Sequence, residues 1–378
     1  MKYFIVAGEA SGDLHASNLA KEIKKLDGDA VFQGWGGDLM ENEDVNILKH
    51  YRELAFMGII EVVQNIRIIM RNFRLCKEHI RNFKPDVVVL VDYPGFNLRI
   101  AKFAKQQELP VCYYISPKAW VWKESRVYKI KKYVDQLFCI FPFEVDFYKK
   151  FGYNATTYVG NPVVDAVENF KSGGKEKVEE TDEFRTIDKP VIALLAGSRY
   201  QEINMLLPEM MEVAKSFPGY QFIVAGASSI PVSYYHEFLK NTDIRIVHNK
   251  TYELLSKAYA AVVTSGTATL ETALFDVPQV VIYKTNPWSY NIGQVFIWLG
   301  TIKIKFFALV NIILDRESVK EILQHDVSSA ATRELNLILN NESHCNRIKK
   351  DYKEMKNILG NAGASMKTAR GIYNFVND

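Results

Sequence analysis

The chain carries the same local pattern twice, once at its start and once near its middle. The apolar run at residues 3–7 leads into the small-residue turn Gly8-Glu9-Ala10-Ser11-Gly12-Asp13. The apolar run at residues 191–195 leads in the same way into Ala196-Gly197-Ser198-Arg199. Each predicts a buried strand and then a helix N-terminus, where free N–H groups and the helix dipole favour anions. Because 378 residues are long for one core, we expect two α/β domains that face each other across a cleft.

Apolar runs alternate with helical patterns in both halves of the chain, which is typical of parallel, doubly wound sheets. In the first half, strands are predicted at residues 3–7, 31–34, 87–91, 111–115 and 137–140, with helices near 12–26, 58–82, 96–107 and 143–150. In the second half, strands are predicted at residues 191–196, 221–225, 244–247, 260–264 and 279–283, with helices between them.

One polar segment divides the two halves. Residues 171–189 are charged and glycine-bearing and have no apolar period, so they predict a linker. The expected organisation is therefore a first domain at residues 1–170, the linker, a second domain at residues 190–344, and a helical, cationic segment at residues 345–378.

Composition excludes several classes of protein. A formal net charge of +3 is too small to indicate nucleic-acid binding. The apolar segment at residues 292–313 is interrupted by polar and charged residues, so it does not predict a membrane-spanning helix. The N-terminus has no signal-peptide pattern, and we expect a reducing cytoplasm. The four cysteines match no metal-ligand spacing; they are Cys76, Cys112, Cys139 and Cys345.

Loops that follow strands are the candidate sites in the first domain, because ligands bind beyond the carboxyl ends of parallel strands. In the first loop, Gly8 and Gly12 allow close backbone approach to a ligand, and Glu9 is an acid that a helix cap does not require. Ser11 or Asp13 could instead cap the following helix. His15 lies beside this loop, where a solvated helix position explains it.

Asp92 follows the apolar run at residues 87–91 and precedes Tyr93-Pro94-Gly95. An acid at a strand's carboxyl end, in a loop constrained by proline, is a candidate general base. The alternative is that it caps the helix at residues 96–107.

In the second domain, Gly197-Ser198-Arg199 suits a diphosphate, because N–H donors stand beside a guanidinium. The alternative is that Arg199 pairs only with Glu202 or with another surface acid. Ser265-Gly266-Thr267 opens a second helix, with Glu271 expected about two turns into it. This loop can bind phosphate while the carboxylate accepts ribose hydroxyls; the alternative is simple capping. Together the two loops favour a nucleotide.

A basic, apolar helix at residues 58–84 is a candidate membrane surface, with Ile66, Ile69 and Arg71 among its residues. Amphipathic basic helices bind anionic membranes, although such a helix is more often packed with a solvated face. A second basic surface joins Trp120, Trp122, Lys123, Arg126, Lys129, Lys131 and Lys132. No Ser-His-Asp order, paired metal histidines or Walker pattern is present.

Several segments, in order and spacing, resemble the lipid A disaccharide synthases from end to end. In the first half these are residues 7–13, residues 53–62 (ELAFMGIIEV), residues 84–86, residues 92–97 (DYPGFN), residues 114–122 (YISPKAWVW) and residues 142–144. In the second half they are residues 197–199, residues 265–271 (SGTATLE), Asn311 and residues 319–324 (VKEILQ).

The resemblance implies a GT-B glycosyltransferase with two Rossmann-like domains, the donor nucleotide on the second and the acceptor on the first. Such enzymes join UDP-2,3-diacylglucosamine to 2,3-diacylglucosamine 1-phosphate, releasing UDP and forming a β-1,6-linked disaccharide. They act without a metal or other cofactor as peripheral proteins on the cytoplasmic face of the inner membrane. Members can form homodimers by exchanging C-terminal elements, so residues 345–378 could pack on the first domain or on a partner chain.

Residue by residue, the resemblance makes Asp92 the required acid, with Glu9 beside it. Arg199 and Asn311 match positions important for activity and donor contact, and Glu271 fits the ribose-binding acid. The acceptor loop comprises Gly8, Ser11, Gly12, Asp13 and Asn97. Gly95 stands where the family often has a second acid, and Ala196 replaces a frequent proline. The alternatives are a GT-B UDP-sugar epimerase and a non-catalytic nucleotide-sugar binder.

Overall fold

A computed structural model describes residues 1–53, 66–121, 124–173, 188–286 and 305–377. The chain divides into two compact units. Unit 1 comprises Met1–Pro162 and Asn361–Asp378, and unit 2 comprises Val163–Gly360. The helix Pro162–Gly173 belongs to unit 2 apart from its first residue, so the division precedes this helix rather than following it.

Unit 1 is built on a parallel sheet of seven described strands in the order β3-β2-β1-β4-β5-β6-β7. Successive residues of β1 point to opposite faces, so that Phe4 and Val6 join one apolar cluster while Tyr3 and Ile5 join another. The strands are β1 (Lys2–Ala7), β2 (Val31–Gly36), β3 (Asn46–His50), β4 (Val87–Val91), β5 (Val111–Tyr114), β6 (Gln136–Cys139) and β7 (Thr156–Tyr158).

Helices cover both faces of this sheet, which is why its central strands are continuous apolar runs. The described helices of unit 1 are α1 (Ala10–Leu26), α2 (Asp38–Glu41), α3 (Ile66–Phe83), α4 (Pro94–Gln106), α5 (Ser125–Tyr133), α6 (Pro142–Lys150) and, from the end of the chain, α15 (Ala364–Asn377). The C-terminal helix α15 places Ala369 and Ile372 in the same apolar cluster as Leu19 of α1. The last helix therefore packs on unit 1 within this chain.

Unit 2 repeats the plan with six described parallel strands in the order β10-β9-β8-β11-β12-β13. Its strands are β8 (Val191–Leu195), β9 (Gln221–Gly226), β10 (Arg245–His248), β11 (Ala258–Thr264), β12 (Gln279–Tyr283) and β13 (Glu321–Leu323). Its described helices are α7 (Pro162–Gly173), α8 (Tyr200–Lys215), α9 (Val232–Leu239), α10 (Thr251–Lys257), α11 (Thr267–Leu274), α12 (Leu309–Leu314), α13 (Val327–Asn340) and α14 (Glu342–Leu359).

All of the strands predicted from the sequence are present, with ends within two residues of the predicted ones. Three short edge strands, β3, β7 and β13, were not predicted. Edge strands bury only part of their surface, and the middle residue alone is buried in β13, so no apolar run marks them. The predicted helix at residues 58–82 is described from Ile66 onward, and its earlier part lies outside the described residues.

In both sheets the strand order reverses beside the first strand of the unit. This switch point lies between β1 and β4 in unit 1 and between β8 and β11 in unit 2. Chain connections leave in opposite directions from such a pair of strands, and ligands bind in the crevice beyond their carboxyl ends. The four loops after these strands hold most of the candidate residues.

Candidate functional site

In unit 1 the loops after β1 and β4 are in direct contact. A β-carbon on Gly8 would lie 2.2 Å from Cδ1 of Tyr93, so the ring of Tyr93 occupies the space that a side chain would need. A β-carbon on Gly12, in the first turn of α1, would lie 3.4 Å from the Cβ of Ala7, which is an ordinary van der Waals distance. The ring of Tyr93 thus explains why position 8 is a glycine, whereas the space around Gly12 would admit a β-carbon.

The backbone of Asp92 adopts an unusual conformation. Its φ is 47° and that of Tyr93 is 50°, so two consecutive non-glycine residues are left-handed. The turn is held at three points: the N–H of Asp92 donates to the carbonyl of Tyr114 at 3.0 Å, and its carbonyl accepts from Tyr113 Oη and, at 2.8 Å, from Asn97 Nδ2. Such fixation is needed to maintain a strained turn.

Asn97 is fully buried and ties the two loops together. Besides the Asp92 carbonyl, its Nδ2 lies 3.3 Å from the carbonyl of Val6 and 3.2 Å from that of Val91. It thus clamps the carboxyl ends of β1 and β4. Asn97, which was predicted to belong to the acceptor loop, therefore holds the two loops in position through hydrogen bonds to their backbones.

The carboxyl group of Asp92 is strongly perturbed. Burial, together with repulsion from Glu9, raises its pKa to about 6, against the opposing influence of Lys118, the Tyr93 N–H and Arg126. Glu9 is exposed at the N-cap of α1, and its side chain makes no cap hydrogen bond. A carboxylate with a pKa near neutrality is suited to accept a proton from a hydroxyl group.

The neighbouring cation Lys118 lies on a loop held by a buried acid. Glu144 is fully buried and accepts hydrogen bonds from Ser116 Oγ at 2.6 Å and Trp120 Nε1 at 3.1 Å. It also accepts from the backbone N–H groups of residues 140 and 141. Burial raises its pKa. Sequence reasoning included this segment among the motifs but did not single out Lys118.

Asp13 accepts hydrogen bonds from the backbone of a distant segment, residues 37–40. Its buried carboxylate accepts from the N–H groups of Gly37 at 2.7 Å, Leu39 at 3.1 Å and Met40 at 3.2 Å. It therefore caps the short helix α2 from across the fold, and it does not cap α1. Ser11 is exposed in the first turn of α1.

His15 differs from the solvated position expected for it. It is half-buried on α1. Burial lowers its pKa to about 4, so that it is neutral at pH 7.

In unit 2 the loop after β8 closes around an acid. Gly197 has φ +105°, and a β-carbon there would lie 2.3 Å from Oε2 of Glu202. That oxygen accepts from the N–H of Ser198 at 3.0 Å, and Oε1 lies 3.2 Å from Nη1 of Arg199. The pairing weighed as an alternative therefore exists. Because 63% of the Arg199 side chain is exposed, such a pair is weak enough to exchange for a stronger anion.

The loop after β11 leads into α11. Gly266, with φ +145°, is its N-cap, and Thr267 is exposed at the first helical position. Ser265 is tied inward, since its Oγ donates to the carbonyl of Phe307 at 2.9 Å. The loop thus presents an exposed helix N-terminus, and the hydrogen bond of Ser265 fixes the start of the loop.

Glu271 lies one turn into α11. Its Oε1 accepts from Tyr252 Oη at 2.9 Å, and burial raises its pKa. Tyr252 is packed edge-on against Phe170 and also contacts Phe275. Tyr252 was not identified from the sequence, because a single tyrosine on another helix gives no local signal.

Asn311 is fully buried on α12. Its Oδ1 accepts from the N–H groups of Ser318 at 2.8 Å and Val319 at 3.0 Å. Its Nδ2 donates to the carbonyl of Val319 at 2.9 Å and to Oε1 of Glu321 at 2.7 Å. Asn311, which was predicted to contact the donor, thus makes these four hydrogen bonds to residues of unit 2.

The basic helix α3 has an exposed cationic face. Arg67 and Arg71 are exposed, and 56% of Met70 is exposed between them. Ile69 packs against the core of unit 1 instead. The side chain of Ile66, and residues 122 and 123 of the second basic surface, lie outside the described residues.

The described residues contain neither a membrane-spanning helix nor a metal-binding cluster. No helix there has the length and apolarity needed to cross a membrane. Within the same ranges, no cluster of three or more His, Cys, Asp or Glu side chains is arranged to hold a metal ion.

Solved structures with a similar fold are UDP-sugar enzymes. The UDP-GlcNAc 2-epimerase of Neisseria meningitidis, bound to UDP-GlcNAc, has a TM-score of 0.61 at 14% identity, covering 99% of this chain and 100% of that one. The UDP-GlcNAc 2-epimerase of Methanocaldococcus jannaschii, with UDP-GlcNAc and UDP, has a TM-score of 0.64 at 15% identity, with both chains fully covered. At this identity the likeness shows the fold alone, which is GT-B-like.

Sequence relatives are much closer. A family model described as lipid-A-disaccharide synthetase matches residues 3–370. The lipid-A-disaccharide synthase of Coxiella burnetii is 34% identical over 380 residues, covering 98% of both chains. That of Myxococcus xanthus is 35% identical, covering 98% of this chain and 96% of its own. The resemblance read from the motifs is thereby confirmed: the chain belongs to the lipid-A-disaccharide synthetase family, glycosyltransferases of lipid A biosynthesis.

Proposed function

We propose that the protein transfers the sugar of UDP-2,3-diacylglucosamine to 2,3-diacylglucosamine 1-phosphate with inversion. The acceptor 6-oxygen forms a bond to the anomeric carbon, the bond from that carbon to the diphosphate breaks, and UDP leaves with the electron pair. The observation that carries this assignment is the opposite chemistry of the two switch points. One presents two carboxylates, and the other presents N–H donors and an arginine.

In this mechanism Asp92 takes the proton of the acceptor 6-hydroxyl. Its position at the end of β4, its braced backbone and its pKa of about 6 support the role. Burial, and then the charge of Glu9, raise that pKa, which makes Asp92 a stronger base than an ordinary aspartate. The acceptor is assigned to unit 1 for this reason.

The donor is assigned to unit 2. Arg199 and the N–H groups around Gly197-Ser198 would exchange Glu202 for the diphosphate, whose double charge attracts the guanidinium more strongly. Glu271 would accept the ribose hydroxyls. The N-terminus of α11, with Gly266 and Thr267, supplies further donors to phosphate oxygens.

Both substrates carry acyl chains, so the protein is proposed to act at the cytoplasmic surface of the inner membrane. The exposed face of α3, with Met70 between arginines, suits an anionic bilayer surface. The homodimer with exchanged C-terminal elements stays a prediction.

Product analysis tests the reaction. The protein is incubated with UDP-2,3-diacylglucosamine with and without the acylated acceptor, and products are resolved by mass. A disaccharide 1-phosphate formed only with acceptor is expected. Conversion of the donor sugar without acceptor would indicate an epimerase, and no conversion would indicate a binding protein; either result contradicts the proposal.

A further inference from the structure

The hydrogen-bonding capacity of Asn311 is fully used within unit 2. A primary amide has two donors and two principal acceptor positions, and all four are engaged with Ser318, Val319 and Glu321. The side chain is also fully buried. A direct bond to the nucleotide would require breaking one of these bonds in a buried setting, which is costly.

Glu321, on the edge strand β13, is the centre of this network. Its Oε2 accepts from the N–H of Phe307 at 2.9 Å, and its Oε1 accepts from the N–H of Ala308 at 2.9 Å in addition to Asn311 Nδ2. A carboxylate that accepts from three donors makes strong, charge-assisted bonds. It therefore fixes the backbone entering α12.

The same backbone is bound on its other side by the candidate nucleotide loop. The carbonyl of Phe307 accepts from Ser265 Oγ at 2.9 Å, and the N–H of Leu309 donates to Thr269 Oγ1 at 3.1 Å. Thr269 Oγ1 in turn donates to the carbonyl of Gly266 at 2.8 Å. One continuous chain of hydrogen bonds thus joins Glu321 to the N-terminus of α11.

We propose that Glu321 is a positioning residue for the nucleotide loop, and that Asn311 acts through Glu321 rather than by contact with the donor. This inference rests on the proposed nucleotide site in unit 2. Loss of either partner releases the segment at residues 307–309 and, with it, the loop at residues 265–267.

UDP affinity, measured by calorimetry on the full chain, tests the coupling. Glu321→Gln and Asn311→Ala are each expected to weaken UDP binding about tenfold, and the double variant no more than the stronger single one. Glu317→Gln is the matched control, because this half-exposed acid in the same region forms a surface ion pair with Lys320 and makes none of the hydrogen bonds described above.

A pH series on folded protein tests whether the side chain at position 311 acts through Glu321. In Asn311→Asp two carboxylates would face each other and share a proton on acidification, so the deficit in UDP affinity relative to wild type should narrow from about pH 8 to about pH 5.5. This readout holds even where Glu321→Gln folds poorly.

The outcomes separate this inference from the proposed function. Wild-type binding of UDP together with normal binding by Glu321→Gln would overturn the inference alone, as would a deficit of Asn311→Asp that does not change with pH. A wild-type chain that does not bind UDP would overturn the nucleotide site and this inference with it.

Discussion

The ring of Tyr93 lies where a side chain on Gly8 would stand, with Cδ1 2.2 Å from the position of its β-carbon. Tyr93 follows Asp92 directly, and both have left-handed backbones. The first residue after β1 thereby helps to set the orientation of the candidate base after β4. This relationship explains why the two loops of the switch point act as one.

Gly8→Ala is expected to displace Tyr93 and reorient Asp92. Overpacking of this kind typically costs about 1–3 kcal/mol, which lowers Tm by several degrees, and kcat should fall more than the affinity for UDP. Gly95→Ala is the control, because no atom of the described residues lies within 4 Å of a β-carbon there. Equal kcat values for the two variants would contradict the packing argument.

Asp92→Asn is expected to stabilise the fold at neutral pH. The pKa of Asp92 rises from 3.8 to about 6 on folding, so loss of its proton opposes folding increasingly between about pH 4 and pH 6, and fully above pH 6. The gain in Tm should be present at pH 7.5, shrink as pH falls from about 6 to about 4, and vanish below. Thermal melts across this range check it; a gain that is constant with pH would show that burial of the charge is not its cause.

Tyr252→Phe should weaken UDP binding severalfold, because Glu271 loses its hydrogen-bond donor while the ring keeps its contacts with Phe170 and Phe275. The loss should be much smaller for 2′,3′-dideoxyuridine diphosphate, which has no ribose hydroxyls for Glu271 to accept. Titration of both nucleotides gives the comparison. An equal loss for both would place the effect outside ribose recognition.

Met70→Ser with Arg71→Glu should reduce binding to vesicles that contain anionic lipids, since it removes one exposed apolar group of α3 and reverses the charge of one exposed cation. Vesicle sedimentation measures it. The matched control is Arg333→Glu with Leu337→Ser, an exposed pair on one face of α13 in unit 2. If both double variants partition as the wild type does, this face is not the membrane surface.

The sequence predicted the strands whose burial on both faces leaves a continuous apolar run. The runs that became β1, β4, β8 and β11 are buried on both faces, and the loops after them were identified with their acids and glycines. It failed where the information is tertiary. Asp13 caps a helix that begins 25 positions later, and Glu321 lies on a three-residue strand without an apolar run.

The contacts at the candidate sites differ in the same way between local pairs and pairs that are distant in the sequence. The pairing of Arg199 with Glu202 is local and was anticipated as an alternative. Tyr252 reaches Glu271 from another helix, and Lys118 influences Asp92 from another loop. Neither contact has a fixed sequence spacing, so only the folded chain brings them together.

The proposed function assigns the base to unit 1 and UDP binding to unit 2. The most direct test measures UDP affinity and turnover side by side for Asp92→Asn and Arg199→Ala. We expect Asp92→Asn to lower kcat by about 100-fold or more while UDP affinity is kept, because only proton removal is lost. Arg199→Ala should instead weaken UDP binding about tenfold. Near-normal turnover by Asp92→Asn would show that Asp92 is not the base, and loss of UDP binding in that variant would show that its role is not confined to proton removal.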